Sequence, residues 1–121
     1  MAASPEDLKR AWGAAVSRIA AEAAEWAVLY SGGLDSSLVA ATLARSRTVS
    51  LVSVGCPGSD DLKAAERGAQ LLGLPWRGRD VSRTEVERML SEDCPFFENC
   101  SRTSRSVLVG FGLAISFFIR R

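Results

Sequence analysis

The sequence predicts an α/β domain in which a parallel β-sheet carries helices on both faces. Short apolar runs alternate along the chain with segments whose apolar residues recur every three or four positions, a pattern typical of strand-helix-strand units with right-handed crossovers. The first two apolar runs each end at glycine, as strands do before a tight turn. A length of 121 residues with 47% hydrophobic content suits one domain with a single core.

The first helix is predicted over residues 4–25, with Ser4 as its N-terminal cap. Apolar residues recur there at helical spacing in an alanine-rich background, as in an amphipathic helix. A continuous apolar run, residues 26–30, follows and suits a strand that is buried on both faces of a parallel sheet. The pair Gly32 and Gly33 ends this strand.

The middle of the chain predicts two more strands, each preceded by a helix. Residues 35–45 have helical spacing, and residues 48–54, in which valine alternates with serine, predict the second strand. Ser59 suits the cap of a further helix, which Gly73 stops. A shorter third strand is predicted over residues 74–79.

Two further elements are predicted in the last third of the chain. A helix can start at Ser82 or Thr84, and residues 93–95 break its pattern. Residues 107–119 are apolar almost throughout, but about 13 residues are fewer than the roughly 20 that a helix needs to span a bilayer. We interpret this segment as a buried helix, and the alternative is a tail anchor.

Composition excludes several classes of function. The formal charge of +1 gives no general attraction to nucleic acid or to a membrane, so any phosphate binding must be local. The sequence contains no histidine, which excludes Ser-His and Cys-His catalysis and the usual zinc sites. Its three cysteines lack CxxC spacing, and the start of the chain lacks the pattern of a signal peptide. We therefore expect a cytoplasmic protein.

Residues 31–37 form a motif that is suited to binding an anion. The motif lies between a predicted buried strand and a predicted helix, where backbone N–H groups are left unpaired and the helix dipole favours negative charge. Gly32 and Gly33 allow close approach of a phosphate, and the serine hydroxyls of the motif add hydrogen bonds. Asp35 would repel phosphate unless a divalent cation lay between them, so it is a candidate Mg²⁺ ligand.

Other interpretations of this motif are possible. It lacks the GxxxxGK[ST] and GxGxxG patterns, so it is neither a Walker A loop nor a favoured dinucleotide site. The simplest alternative is a strand-to-helix turn in which Asp35 caps the helix. Nearby, we interpret Asp61 and Lys63 as the solvated first turn of a helix, and Cys56 as a small loop residue.

The Ser-Gly-Gly-Leu-Asp-Ser-Ser run at residues 31–37 resembles the SGGxDS loop of the ATP-pyrophosphatase, or PP-loop, superfamily. Its members cleave ATP between the α and β phosphates and adenylate a substrate. A second motif distinguishes the families: residues 52–55 and 57–65 resemble the corresponding stretch of asparagine synthetases, and residues 71–73 fit the end of the same helix. The resemblance extends from about residue 26 to residue 73.

The resemblance implies a Rossmann-like fold of the adenine nucleotide α-hydrolase type and a nucleotide site. It places Leu29 and Val54 beside the adenine, with backbone groups of Val54 and Gly55 contacting the edge of the base. Simple core packing is the alternative for both apolar residues, and the two roles are compatible at the carboxyl ends of strands. The residues implied to hold the pyrophosphate portion and its Mg²⁺ are Ser31, Gly32, Gly33, Asp35 and Ser36, with Asp35 as the metal ligand.

The resemblance also implies a reaction. Asparagine synthetases adenylate the side-chain carboxylate of aspartate with ATP and Mg²⁺, and ammonia then displaces AMP. ATP, aspartate and ammonia are therefore the expected partners, and neither nucleic acid nor a membrane is favoured. The alternatives are another PP-loop ATP-pyrophosphatase, acting in sulfur transfer or amidation, and an ATP- or AMP-binding module that is catalytically incomplete.

Two features of asparagine synthetases are not found in this sequence. One is the amino-terminal glutaminase domain, and the other is a later glycine-rich segment with acidic residues. We therefore interpret residues 1–25 as an N-terminal helix and residues 26–121 as a partial PP-loop domain, incomplete at its C-terminus. A missing C-terminal half or a partner chain would complete such a domain, and the alternative is a small stand-alone module.

Overall fold

The computed structural model describes residues 2–92 of the chain, in which helices and strands alternate as predicted. The predictions for residues 93–95 and 107–119, and for an incomplete C-terminus, lie outside this part. Between residues 2 and 92, no helix combines the length and the apolar character needed to cross a membrane. The elements are α1 (Pro5–Ala20), β1 (Glu25–Leu29), α2 (Leu34–Ala44), β2 (Thr48–Gly55), α3 (Asp60–Leu72), β3 (Trp76–Asp80) and α4 (Arg83–Glu92).

The three strands form one parallel sheet in the order β1-β2-β3. Val28 of β1 lies beside Leu51 of β2, and Leu51 lies beside Trp76 of β3. Each connection between neighbouring strands contains a helix, because parallel strands cannot be joined by a tight hairpin. The predicted α/β class with a parallel sheet is confirmed.

One face of the sheet packs against α2 and α3, which also contact each other. The Tyr30 side chain, just after β1, lies between these two helices, with its hydroxyl beside Ser37 of α2 and against Gly68 of α3. The core on this face is closed by small and aliphatic side chains, and α1 contributes to it. Its fully or nearly buried members include Val16, Ala20, Val28, Ala40, Leu43, Val49, Leu51, Ala65 and Ala69.

The other face of the sheet meets the start of α4. Side chains alternate along β3, so Arg79 points away from the face that carries Trp76. The guanidinium of Arg79 lies 3.9 Å from the carboxylate of Glu85, in the first turn of α4. Helices therefore lie on both faces, as predicted, although Ala27 of β1 is exposed. The prediction that the first strand is buried on both faces is wrong, because α2 and α3 cover only one of them.

Helix α1 is shorter than predicted and ends at Ala20 rather than at residue 25. The guanidinium of Arg47 explains this end, since its Nε donates to the carbonyls of Ala20 (2.8 Å) and Ala23 (3.1 Å) and so satisfies groups that another helical turn would have used. Trp12 fixes the helix to α2 by donating from its indole Nε1 to the Thr42 hydroxyl at 3.0 Å.

Ser53 connects all three strands from the middle of the sheet. Its side chain is buried, and its hydroxyl donates to the Tyr30 carbonyl that follows β1 (2.5 Å). The same oxygen accepts the indole N–H of Trp76, in β3, at 2.9 Å. Ser53 thus provides a hydrogen-bond partner for two polar groups inside the sheet, which explains why a serine lies in this valine-rich strand.

We expect Ser53→Ala to lower the free energy of unfolding by about 1–3 kcal/mol, because it leaves the Tyr30 carbonyl and the partly buried Trp76 N–H without the Ser53 hydroxyl as partner. Urea denaturation followed by tryptophan fluorescence would measure the change. Ser50→Ala is the matched control, since Ser50 lies on the same strand but is exposed, and its effect should stay within about 0.5 kcal/mol. Equal effects of the two substitutions would contradict the bridging role.

Candidate functional site

An open cleft of about 820 Å³ lies at the carboxyl ends of β1 and β2. Open α/β sheets bind their ligands at this edge, because the loops that follow neighbouring strands meet there. The structure brings most of the predicted site residues together in the cleft, while Gly32 and Gly33 form the turn beside it. The predicted residues that line the cleft are Leu29, Ser31, Asp35, Ser36, Val54 and Gly55.

The helix that starts at the cleft has no side-chain cap. Helix α2 has Gly33 as its N-cap residue, with extended backbone and no side-chain hydrogen bond to the first turn. The other three helices of the described region each have a serine that accepts a first-turn amide: Ser4, Ser59 and Ser82. The first amides of α2 therefore remain available to an anion, which the helix dipole also favours.

At two of the three capped helix starts, those of α1 and α4, a carboxylate of the protein itself takes the place that an anion would take. Asp7 and Glu85 each accept the backbone N–H of the capping serine, and this hydrogen bond is the main reason that the pKa of each carboxyl is lowered. At the start of α2, Asp35 makes no such hydrogen bond, and its side chain is exposed. The interpretation of Asp35 as a simple helix cap is therefore wrong.

The serines of the loop are hydrogen-bonded to one another. The Ser31 hydroxyl accepts the Gly33 N–H at 3.2 Å and lies 3.1 Å from the Ser36 hydroxyl. The Ser36 hydroxyl also accepts the Ser31 N–H at 3.3 Å. Hydroxyl groups rotate and can exchange one partner for another, so this pair can donate to phosphate oxygens at the edge of the cleft.

Gly32 makes the turn possible for two separate reasons. Its φ of +82° is in the left-handed region, which residues with a Cβ rarely adopt. A Cβ at this position would also lie 3.0 Å from the carbonyl carbon of Ala64 and 3.1 Å from the amide nitrogen of Ala65. The loop therefore packs directly on the backbone of α3, and a side chain at residue 32 would push it away.

Carboxylates at the cleft fit a magnesium ion that is shared with phosphate. Asp35 and Asp61 both line the cleft and are exposed. Over residues 2–92, no three acidic, cysteine or histidine side chains are grouped as a metal site. Mg²⁺ commonly binds one or two carboxylates and takes its remaining ligands from phosphates and water. The residues therefore suit a metal that arrives with a nucleotide.

The far wall of the cleft is apolar. Leu29 and Val54 are half-buried and face the cleft, a position that is compatible both with core packing and with contact to a ligand. The carbonyl of Gly55 accepts the Val81 N–H at 2.8 Å, so one position on the predicted base-contacting edge is already occupied. Such a wall suits the flat face of a nucleobase.

Sequence reasoning missed several residues of the cleft. Val81 and Val86 follow β3 and belong to no recognisable sequence motif. After β3 the chain passes beside Gly55, whose carbonyl accepts the Val81 N–H, and both valines line the apolar wall. Asp61, interpreted as part of a solvated first helical turn, and Cys56, interpreted as a small loop residue, are both exposed and also line the cleft. Helical spacing in α3 could have indicated that Asp61 lies in the turn nearest the strand ends. Nothing in the sequence pattern places Val86 there.

A glycine turn followed by a helix without a side-chain cap, at the carboxyl edge of a parallel sheet, is the arrangement by which many α/β domains bind phosphate. The family model for asparagine synthase matches residues 7–113, which is most of the chain. The chain therefore belongs to the asparagine synthase family, and the implied PP-loop fold of the adenine nucleotide α-hydrolase type is confirmed.

Comparison with other proteins gives two further results. No sequence among curated proteins matches the chain. One similar crystal structure is that of a "predicted subunit of tRNA methyltransferase" from Methanocaldococcus jannaschii DSM, which is 28% identical with a TM-score of 0.47. The alignment covers 61% of this chain and 38% of that chain. The match thus spans well under half of the longer protein.

Replacing Gly32 should test how far the loop depends on its packing against α3. We expect Gly32→Ala to lower the free energy of unfolding by about 2–4 kcal/mol, because strain at positive φ adds to the overlap with Ala64. Gly58→Ala is the matched control, since Gly58 has a φ of +70° but open space around its Cβ position. Urea denaturation of both variants separates the two effects. If the two losses were equal, the contact with α3 would contribute nothing.

Proposed function

We propose that this chain binds Mg²⁺-ATP in the cleft and serves an asparagine synthase-like amidation. In this reaction ATP adenylates a carboxylate, that of the aspartate side chain, and ammonia then displaces AMP. The observation that carries the proposal is the uncapped start of α2 beside an apolar-walled cleft. The membership of the chain in the asparagine synthase family supports the amidation.

The phosphate groups fit the end of the cleft formed by the motif at residues 31–37. Within residues 2–92, no side chain caps the first-turn amides of α2 at this end, and the hydroxyls of Ser31 and Ser36 lie close to the same turn. Backbone donors at a helix start favour negative charge without needing a cationic side chain. This accounts for phosphate binding by a chain whose formal charge is only +1.

The adenine fits the apolar end of the same cleft. Leu29 and Val54 stand at the carboxyl ends of adjacent strands, and Val81 and Val86 extend the wall that they form. Burial of a flat aromatic ring against such side chains is favourable, at roughly 25 cal/mol for each Å² of apolar surface removed from water. Backbone groups near Gly55 would supply the polar contacts to the edge of the base.

Asp35 and Asp61 are the residues that would hold Mg²⁺ together with the phosphates. An ion held there would supply positive charge beside the pyrophosphate that leaves when the α phosphorus is attacked. The protein itself contributes position and electrostatics. The wall of the cleft orients the nucleoside, and the α2 amides stabilise the charge that develops on the leaving group. A carboxylate oxygen then bonds to the α phosphorus, and ammonia later attacks the acyl carbon as AMP departs.

Calorimetric titration with ATP tests the role of Asp35. With Mg²⁺ present, we expect Asp35→Asn to weaken ATP binding about tenfold, or about 1.4 kcal/mol, because a charged ligand of the ion is lost. In EDTA the same substitution should leave ATP binding unchanged or stronger, since it removes a negative charge that repels the phosphates. Asp60→Asn is the matched control: Asp60 starts α3, is exposed and does not line the cleft.

Asp60→Asn should change the affinity less than about twofold under both conditions, as for a screened charge away from the ligand. A loss for Asp35→Asn that is the same in Mg²⁺ and in EDTA would remove the metal-ligand role. Release of pyrophosphate with ammonia and a panel of carboxylic acids then tests the reaction. Aspartate-dependent AMP formation is expected, turnover with another acceptor would indicate a different PP-loop enzyme, and binding without turnover would indicate a nucleotide-binding module.

A further inference from the structure

The Tyr30 side chain is buried beside the phosphate-binding turn, and hydrophobic burial alone does not explain its hydroxyl. Tyr30 is 4% exposed, at a position just after β1 where the core would accept an apolar residue. Its hydroxyl lies 3.1 Å from the Ser37 hydroxyl. Gly68 of α3 makes room for it, since a Cβ at that position would overlap the Tyr30 oxygen. The absence of a side chain at Gly68 thus leaves room between α2 and α3 for the Tyr30 hydroxyl.

The direction of these hydrogen bonds can be worked out. The Ser37 hydroxyl donates its one proton to the Gly33 carbonyl at 2.6 Å. Its oxygen must therefore accept the proton of the Tyr30 hydroxyl. The Gly33 carbonyl also accepts the Ser37 N–H at 3.2 Å. Two donors from Ser37, one of them supported by Tyr30, thus hold a single carbonyl at the start of α2.

Because the Gly33 carbonyl is held in place, a backbone N–H that can donate to phosphate is held in place as well. The Gly33 carbonyl and the Leu34 N–H belong to the same peptide group, which is planar and trans, so they point in opposite directions. With the carbonyl held along the helix, the Leu34 N–H points out of its N-terminal end. Gly33 has no side chain with which to steady this peptide, so its orientation depends on the bonds that reach it from Ser37.

We propose that Tyr30 and Ser37 are positioning residues, which together aim the first amide of α2 at the phosphates of the nucleotide. The inference rests on the proposed function, because it concerns the same site. Neither side chain needs to touch the ligand. The two consecutive hydrogen bonds, from the Tyr30 hydroxyl to Ser37 and from Ser37 to the Gly33 carbonyl, keep the anion site preformed. Ligand binding then does not have to order the start of α2.

A second pair of consecutive hydrogen bonds through a hydroxyl of α2 provides a matched control. The Thr42 hydroxyl donates to the Leu38 carbonyl at 2.7 Å and accepts the Trp12 indole N–H at 3.0 Å. Its pattern is the same: an aromatic donor, a hydroxyl and the carbonyl four residues earlier. The Leu38 carbonyl lies inside the helix, however, where its peptide faces no anion site. Thr42→Val should therefore cost stability without changing phosphate binding.

The experiment is calorimetric titration of the folded chain with Mg²⁺-ATP, Mg²⁺-pyrophosphate and adenosine. Tyr30→Phe and Ser37→Ala should each weaken pyrophosphate binding about threefold to tenfold, as expected for the loss of one hydrogen bond. Adenosine affinity should change less than about twofold. The double variant should bind no more weakly than Ser37→Ala, because the two groups act in series. Ser37→Thr, which keeps the hydroxyl, should restore pyrophosphate affinity.

Several outcomes would overturn the inference. One is unchanged pyrophosphate affinity in Tyr30→Phe and Ser37→Ala, measured beside a wild type that binds Mg²⁺-ATP; this leaves the proposed function standing. Another is an equal loss in Thr42→Val, which would indicate a general effect of helix stability. If the wild type binds neither Mg²⁺-ATP nor Mg²⁺-pyrophosphate, the proposed function itself fails, and the positioning role fails with it.

Discussion

The contact between the glycine turn at residues 31–33 and the backbone of α3 is the constraint on which the candidate site depends. Gly32 lies so close to Ala64 and Ala65 that a Cβ at residue 32 would force the turn and the backbone of α3 apart. The turn after the first strand therefore takes its position from the helix after the second strand. Because α3 in turn packs on β2 and β3, the whole three-stranded unit, and not the local sequence alone, determines where the amides of α2 point.

Polar groups inside the sheet extend this constraint from the turn to the strands. Ser53 holds the carbonyl of Tyr30 and the indole of Trp76, while the Tyr30 hydroxyl reaches Ser37 on α2. Tyr30 is thus fixed at its backbone by the sheet and at its side chain by a helix. Buried hydrogen bonds of this kind contribute little net free energy each, but leaving one unmade is costly, so they select a single geometry. A preformed anion site requires such a geometry.

The fold could be predicted largely from periodicity, and the centre of the site from one motif. Valine-rich runs and glycine turns specified the strands and the turn at Gly32, because these signals are local. The end of α1 could not be predicted, since Arg47, far along the chain, satisfies the carbonyls there. Val81 and Val86 were missed for the same reason: only the path of the chain after β3 brings them to the cleft. Long-range contacts leave no pattern in a single sequence.

The helices of the described region differ in whether a side chain caps their first turn: three starts have a cap that stabilises the helix, and the start of α2 has none. Serine caps at the starts of α1, α3 and α4 satisfy amides that no ligand needs, and each such cap contributes roughly 1 kcal/mol. Helix α2 lacks this contribution at Gly33, where a Cβ would lie 3.2 Å from the Ser31 hydroxyl. The Gly33 carbonyl at this start accepts two hydrogen bonds from Ser37, one from its N–H and one from its hydroxyl. The described part of α2 thus starts without a side-chain cap while its first carbonyl is held by two bonds from Ser37. A helix start that is already held in place can receive an anion without first rearranging the loop.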